Sequence, residues 1–229
     1  MTSTVVMGVD ACSTGWIGIV EWDGRISAHW APDIVSLMAE ASPDGPLAVV
    51  AVDMPIGLAD AGRRAPDQLA RAIVGPRASS VFPTPARAAI EADTYVEANI
   101  RNWDLVGTGV SKQAYGLRKK LLEVNAWANA EPGRVLEMHP EVSFVHLTNG
   151  HLPPKRSWAG MHARMSALAA VGFRVPDDLG PIGARVGTDD VIDAAVGAWT
   201  ARRRTEGFAV SYPDPPIQYS DGWPCAIWA

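Results

Sequence analysis

The sequence is short of the features that most readily announce a function. Two cysteines in 229 residues, Cys12 and Cys225, supply neither a disulfide framework nor the four clustered ligands of a structural zinc site, and a reducing cytoplasm is the expected setting. No apolar run approaches the roughly 20 residues of a membrane-crossing helix, and no basic start precedes the apolar stretch at the amino terminus. The expectation is a soluble protein with no membrane partner. A formal net charge of −5 argues against non-specific coating of nucleic acid, which rests on many Lys and Arg contacts to phosphate, but leaves open an enzyme that acts on nucleic acid. There is no Gly-x-Ser-x-Gly elbow for a serine nucleophile. The Gly107-Thr108-Gly109 loop lacks the Gly-Lys-Ser/Thr of a P-loop and follows no strand. Internal repeats and domain-splitting linkers are absent too, so residues 1–229 read as a single domain of ordinary composition, 48% hydrophobic and 20% charged.

What the sequence does have is acids at the ends of apolar strands. The stretch from Thr4 to Asp10 is apolar until it stops on a carboxylate, as expected of a strand buried on both faces. Trp16 to Trp22 and Arg25 to Trp30 read as two further strands joined by the Asp23-Gly24 hairpin signal. Pro32-Asp33 opens an amphipathic helix that stops before Ser42-Pro43-Asp44-Gly45. Leu47 to Asp53 is a fourth strand with the design of the first, and the crossover places the two in parallel. Asp10 and Asp53 then sit at the same end of the sheet, where open α/β sheets bind ligands. Each could instead merely open a turn.

Residues from about 58 to 132 form a loop-rich and helical insertion. It has a short helix near Gln68 to Val74, a helix from Ala86 to Arg101, and another capped by Ser111. Arginines crowd its first half, at Arg63, Arg64, Arg71, Arg77 and Arg87 against Asp67, and Lys112, Arg118, Lys119 and Lys120 follow. That surplus suits an anionic substrate or simply solvated helix faces. Val135 to Met138 is a short fifth strand, on which Glu137 and His139 are expected to point the same way. His139 could also serve as a cap or a core histidine. Pro140 starts a helix whose first turn holds Glu141, where an acid complements the helix dipole. A helix from Trp158 to Val171 precedes one capped by Thr188 and running to about Arg204. Asp189 and Asp190 suit the start of that last helix, whereas Asp193 lies among Val191, Ile192, Ala194, Ala195 and Val196 and needs a partner. Phe208 to Ser211 reads as a last short strand, and about 212–229 as an irregular tail.

Carboxylates gathered at strand ends and a helix start repel one another unless cations neutralise them. Mg²⁺ is bound by carboxylates, waters and phosphate oxygens, and a pair of such ions can activate water against a phosphodiester. The element order resembles the ribonuclease H-like fold, a mixed five-stranded sheet flanked by helices. The chain further resembles the DUF429 family of predicted nucleases, through Gly8-Val9-Asp10 with Gly15-Trp16, Asp53-Met54-Pro55-Ile56-Gly57, Val81 to Arg87, Gly109 with Ser111 and Gln113, Glu137 to Phe144, and Asp189 to Ala194 with Ala198-Trp199-Thr200. That resemblance implies a nuclease using Mg²⁺ or Mn²⁺, with Asp10 as bridging metal ligand and Asp193, with Asp189 or Asp190, completing the site. It further implies Asp53 and Glu137 as the middle acids, His139 as a ligand-orienting or proton-transferring group, and Arg77, Arg87 and Lys112 as contacts to phosphate. The substrate is then a nucleic acid or another phosphodiester. Two alternatives stand beside it. One is a phosphotransferase of the actin-like ATPase and sugar kinase kind, whose first phosphate loop is similar to Asp10 to Gly15, and the other is a noncatalytic binding or scaffold domain.

Overall fold

The chain begins with the hairpin that its sequence dictates. In the computed structural model, which describes residues 4–41 and 46–229, β1 (Val6–Cys12) pairs antiparallel with β2 (Gly15–Trp22), and β2 with β3 (Arg25–Ala31). Asp23 (φ 50) and Gly24 (φ 75) both take the left-handed conformation that a tight two-residue hairpin requires. Helix α1 (Ile34–Ala41) follows, its first turn held by Asp33, whose carboxylate accepts from the Ser36 amide at 2.8 Å. The expected stop at Ser42–Gly45 lies outside the described residues. Strand β4 (Val49–Val52) then returns parallel to β1.

Between β4 and the next strand lies the insertion, built of α2 (Ala65–Val74), a 3-10 segment (Gly75–Ser80), α3 (Arg87–Ile90), α4 (Tyr95–Val106), α5 (Lys112–Gly116) and α6 (Arg118–Ala130). The single helix expected over Ala86 to Arg101 is two, because Thr94 caps a fresh start by accepting from the Glu97 amide. Ser111 caps α5 as its sequence indicates, accepting from the Ala114 amide. After β5 (Val135–Met138) come α7 (Pro140–Thr148), α8 (Trp158–Ala170) and the long α9 (Thr188–Glu206). Gly187, not Thr188, is the cap residue of α9, with the Asp190 carboxylate accepting from the Gly187 amide at 3.3 Å.

The described residues form one seven-stranded sheet in the order β3-β2-β1-β4-β5-β7-β6, which corrects both the count of five strands and the irregular tail. The tail supplies β6 (Ser211–Ile217) and β7 (Cys225–Trp228), β7 parallel to β5 and β6 antiparallel to β7. Three prolines in β6 disguise it; they are tolerated because β6 is an edge strand with one side free of ladder bonds.

Strand parity divides the core into two layers. Met7, Val9, Val50, Val52 and Val135 face α1 and α6, whereas Val6, Ala51, Leu136 and Met138 face α7, α8 and α9. On the second face α9 lies directly on β1. A Cβ added to Gly8 would fall 2.0 Å from the Ala194 carbonyl oxygen and 2.1 Å from the Ala198 nitrogen, so helix and strand meet backbone to backbone. Gly197 makes the reciprocal approach, its own added Cβ meeting the Gly8 Cα at 3.0 Å.

Candidate metal centre

Three carboxylates converge where β1 and β4 part beneath the start of α9. Asp10 continues the Val6–Gly8 face of β1, and Asp53 continues the Val49–Ala51 face of β4, one residue after that strand ends. The Asp53 amide donates to the Val9 carbonyl at 2.9 Å, which locks the two strand ends in register. With Ala194 on Gly8, Asp193 is held against the same spot from above. One oxygen from each of Asp10, Asp53 and Asp193 lies within 4.8 Å of the others.

Few groups offset that charge. Asp10 Oδ1 accepts from the Ala11 amide at 2.6 Å. Asp193, only 1% exposed, accepts from Lys155 Nζ at 2.5 Å through Oδ2, while its buried Oδ1 has no partner among the described residues. Burial pushes the Asp10 carboxyl well above the ordinary carboxylate range, and Asp53, Asp193 and Asp190 push it further. Asp53 and Asp193 are each raised to about 7, again by burial first, with Lys155 pulling both back down. Such a cluster favours either shared protons or a bound cation.

The remaining acids are placed less centrally. Asp189 receives Arg156 Nε at 3.2 Å and Lys155 Nζ at 3.8 Å on the rim. Asp190 lines the cleft but spends one oxygen on the helix start, and burial together with Asp189 raises its carboxyl. Glu137 borders the same cleft but is not one of the three clustered aspartates. It lies on the Val135 face of β5, opposite Leu136 and Met138, and both its oxygens are taken by the guanidinium of Arg64, with Oε2 also accepting from the Ile56 amide. Arg64 is 1% exposed and bonds Asp67 as well; burial alone would lower its pKa, and Glu137 and Asp67 more than reverse this. That network fastens the insertion to the sheet. His139 borders the same cleft as Glu137 and feels the charges of Asp193 and Glu141. Burial holds its imidazole below the ordinary value, its Nε2 meets the Ser80 carbonyl at 3.4 Å, and its buried Nδ1 is unpartnered.

The basic residues expected at phosphate are mostly occupied elsewhere. Arg77 donates to the Leu152 carbonyl through Nε and Nη2, and Arg87 pairs with Asp221 and bonds the Leu58 carbonyl. Lys112, exposed in the first turn of α5, makes no contact that ties it to the cleft. Cations that do line the cleft, Lys155 and Arg156, sit in the loop before α8. No local pattern marks them; only the pairing of a loop lysine with a helix aspartate 38 residues away does so. The cleft itself encloses about 260 Å³ and includes Asp10, Asp53, His139, Lys155, Asp189 and Asp190 in its lining. In the β1–β2 turn, Lys120 Nζ binds the carbonyls of Cys12 and Gly15, and the Thr14 hydroxyl accepts from Trp30 Nε1 at 3.2 Å, so protein groups already engage this would-be phosphate loop.

Among the described residues no helix is long and apolar enough to cross a membrane. No curated protein and no solved structure matches the chain. A family model described as "Protein of unknown function (DUF429)" matches residues 8–218, a span that takes in Asp10, Asp53 and Asp193. The chain therefore belongs to the DUF429 family.

Proposed function

We propose that the chain is a divalent-metal-dependent phosphodiester hydrolase acting on nucleic acid, with Asp10, Asp53 and Asp193 as its metal-binding core. One observation carries the reading: three carboxylates from β1, β4 and α9 meet in a cleft although their mutual repulsion and burial oppose it. The donor set fits Mg²⁺ or Mn²⁺, being all carboxylate oxygen without cysteine or imidazole, and the orphaned Asp193 Oδ1 is an unused donor within it. The order β3-β2-β1-β4-β5 with β2 reversed agrees with the ribonuclease H-like expectation and supports the reading at the level of fold, which by itself does not fix function.

When bound, the cation would supply charge neutralisation at phosphate and a water more readily deprotonated than bulk water. The chain's residues do the rest. The Ala11 amide fixes Asp10 Oδ1 and so the orientation of the carboxylate. Lys155 and Arg156 place positive charge at the cleft rim, where an incoming phosphate meets it. A neutral His139 donating from Nε2 to Ser80 leaves Nδ1 as the unprotonated ring nitrogen, with no partner among the described residues, in a side chain that borders the cleft. The test is cleavage of labelled single-stranded, duplex, hybrid and branched substrates with Mn²⁺ or Mg²⁺, comparing wild type with Asp10→Asn. Cleavage by wild type alone is expected; equal activity in the variant refutes the assignment.

A further inference from the structure

A second recess lies in the insertion, beside the carboxylate cleft. It holds about 290 Å³, roughly the small end of ligand sites, and Asp67 and Thr84 line both cavities, so the two are neighbours across a shared wall. Most of its polar wall is already committed. Asp67 is paired with Arg64, which it shares with Glu137, and accepts from the Thr84 amide at 2.8 Å, and Asn102 bonds the Ala86 amide and the Thr108 carbonyl. Among the groups left over are two arginines and a hydroxyl. Arg63 is exposed and makes no ion pair or hydrogen bond among the described residues, Arg71 uses only Nη1, on the Val81 carbonyl, and the Thr84 hydroxyl is unpartnered in a residue only 5% exposed. Pro83 and Val106 add apolar wall.

We infer that this recess binds one nucleotide of a single-stranded nucleic acid, flanking the phosphodiester held at the carboxylates. The inference rests on the hydrolase reading and narrows its substrate. Two guanidinium groups with free donors, beside an acid whose oxygens are already engaged, select an anion, and phosphate is the anion they grip best. The volume exceeds what a phosphate needs and leaves room for a base against Pro83 and Val106, with the Thr84 hydroxyl free to bond its edge. A base enters such a recess only when it is unpaired, which favours a single strand over a duplex.

The test is fluorescence anisotropy with a 5′-fluorescein-labelled short DNA or RNA strand in Ca²⁺, across a salt series, for wild type, Arg63→Ala and Thr84→Val. Hydrolysis of bis(p-nitrophenyl) phosphate with Mn²⁺ is measured alongside. Arg63→Ala should melt with wild type, since it breaks no contact, yet bind the strand about tenfold more weakly, with a log K against log salt slope shallower by about 0.7. Thr84→Val should weaken binding without changing that slope. Unchanged affinity and slope in Arg63→Ala, or equal affinity for the matching duplex, overturns the inference. If wild type hydrolyses the small diester but binds no strand, the recess is not a nucleotide site and the hydrolase reading survives. Arg63-dependent binding with no hydrolysis of any substrate leaves the recess standing and removes the hydrolase.

Discussion

Replacing Asp53 by Asn should make the metal-free protein more stable and the metal-bound protein less so. Among the described residues the Asp53 carboxylate accepts no hydrogen bond, and burial first of all raises its pKa from the ordinary 3.8 to about 7. A group whose folded pKa is raised costs stability as pH climbs, because the unfolded chain gives up its proton near pH 4 while the folded one still holds it. The cost accumulates from about pH 4 to about pH 7 and is flat above. A change from 3.8 to about 7 corresponds to roughly 4 kcal/mol; solvent screening at the cleft wall and the need to solvate the new amide reduce the expected gain to about 2 kcal/mol. For a chain of this size that is a rise in Tm of about 4–8 °C. Differential scanning calorimetry in EDTA should show this rise at pH 8 and little of it at pH 4. Adding Mn²⁺ at roughly 100 times its Kd stabilises wild type by about 2.7 kcal/mol and should leave the variant nearly unmoved, so the two exchange rank. A variant no more stable than wild type at pH 8 in EDTA, or a difference independent of pH, refutes the electrostatic account of the cluster.

Arg64→Met strands Glu137 and Asp67 in the interior and should cost about 3–5 kcal/mol in urea unfolding, part of which Glu137→Gln in the same chain restores; a loss below about 1 kcal/mol contradicts the pinning role given to this residue. Gly8→Ala should cost upwards of about 3 kcal/mol, because its Cβ has to displace α9 backbone, while Gly116→Ala, with open space around the new atom, should stay within about 0.5 kcal/mol. Equal melting temperatures for the two alanine variants would show that the helix does not rest on the strand as described.

The site was half legible in sequence, and the boundary between the halves is physical. Asp10 and Asp53 stood out because each ends an apolar strand, and Asp193 because no solvent-facing role explains an acid within a buried helical run. For Glu137 the sequence left the face open. Acids at strand ends look alike in sequence, but Leu136 and Met138 take the α9 side of β5, and alternation sends Glu137 to the other. Its partner Arg64 was one of five arginines in a basic run, and nothing local distinguishes the buried one from the solvated ones. Lys155 is the same case: its meaning lies in a contact that only the folded chain makes. Strand β6 was hidden by its prolines, which read as irregular chain but are compatible with an edge, and β7 by having only four residues.

The glycine contact between β1 and α9 bears on how this family member can change over time. Helices in ordinary cores ride on side chains, and they drift when those side chains are exchanged. Here the spacing between Asp10 and Asp193 is gauged by two main chains in contact, with no substitutable atoms between them. The surrounding core is therefore free to diverge extensively, and the insertion to be rebuilt for other ligands, while the reach across the carboxylates stays constant.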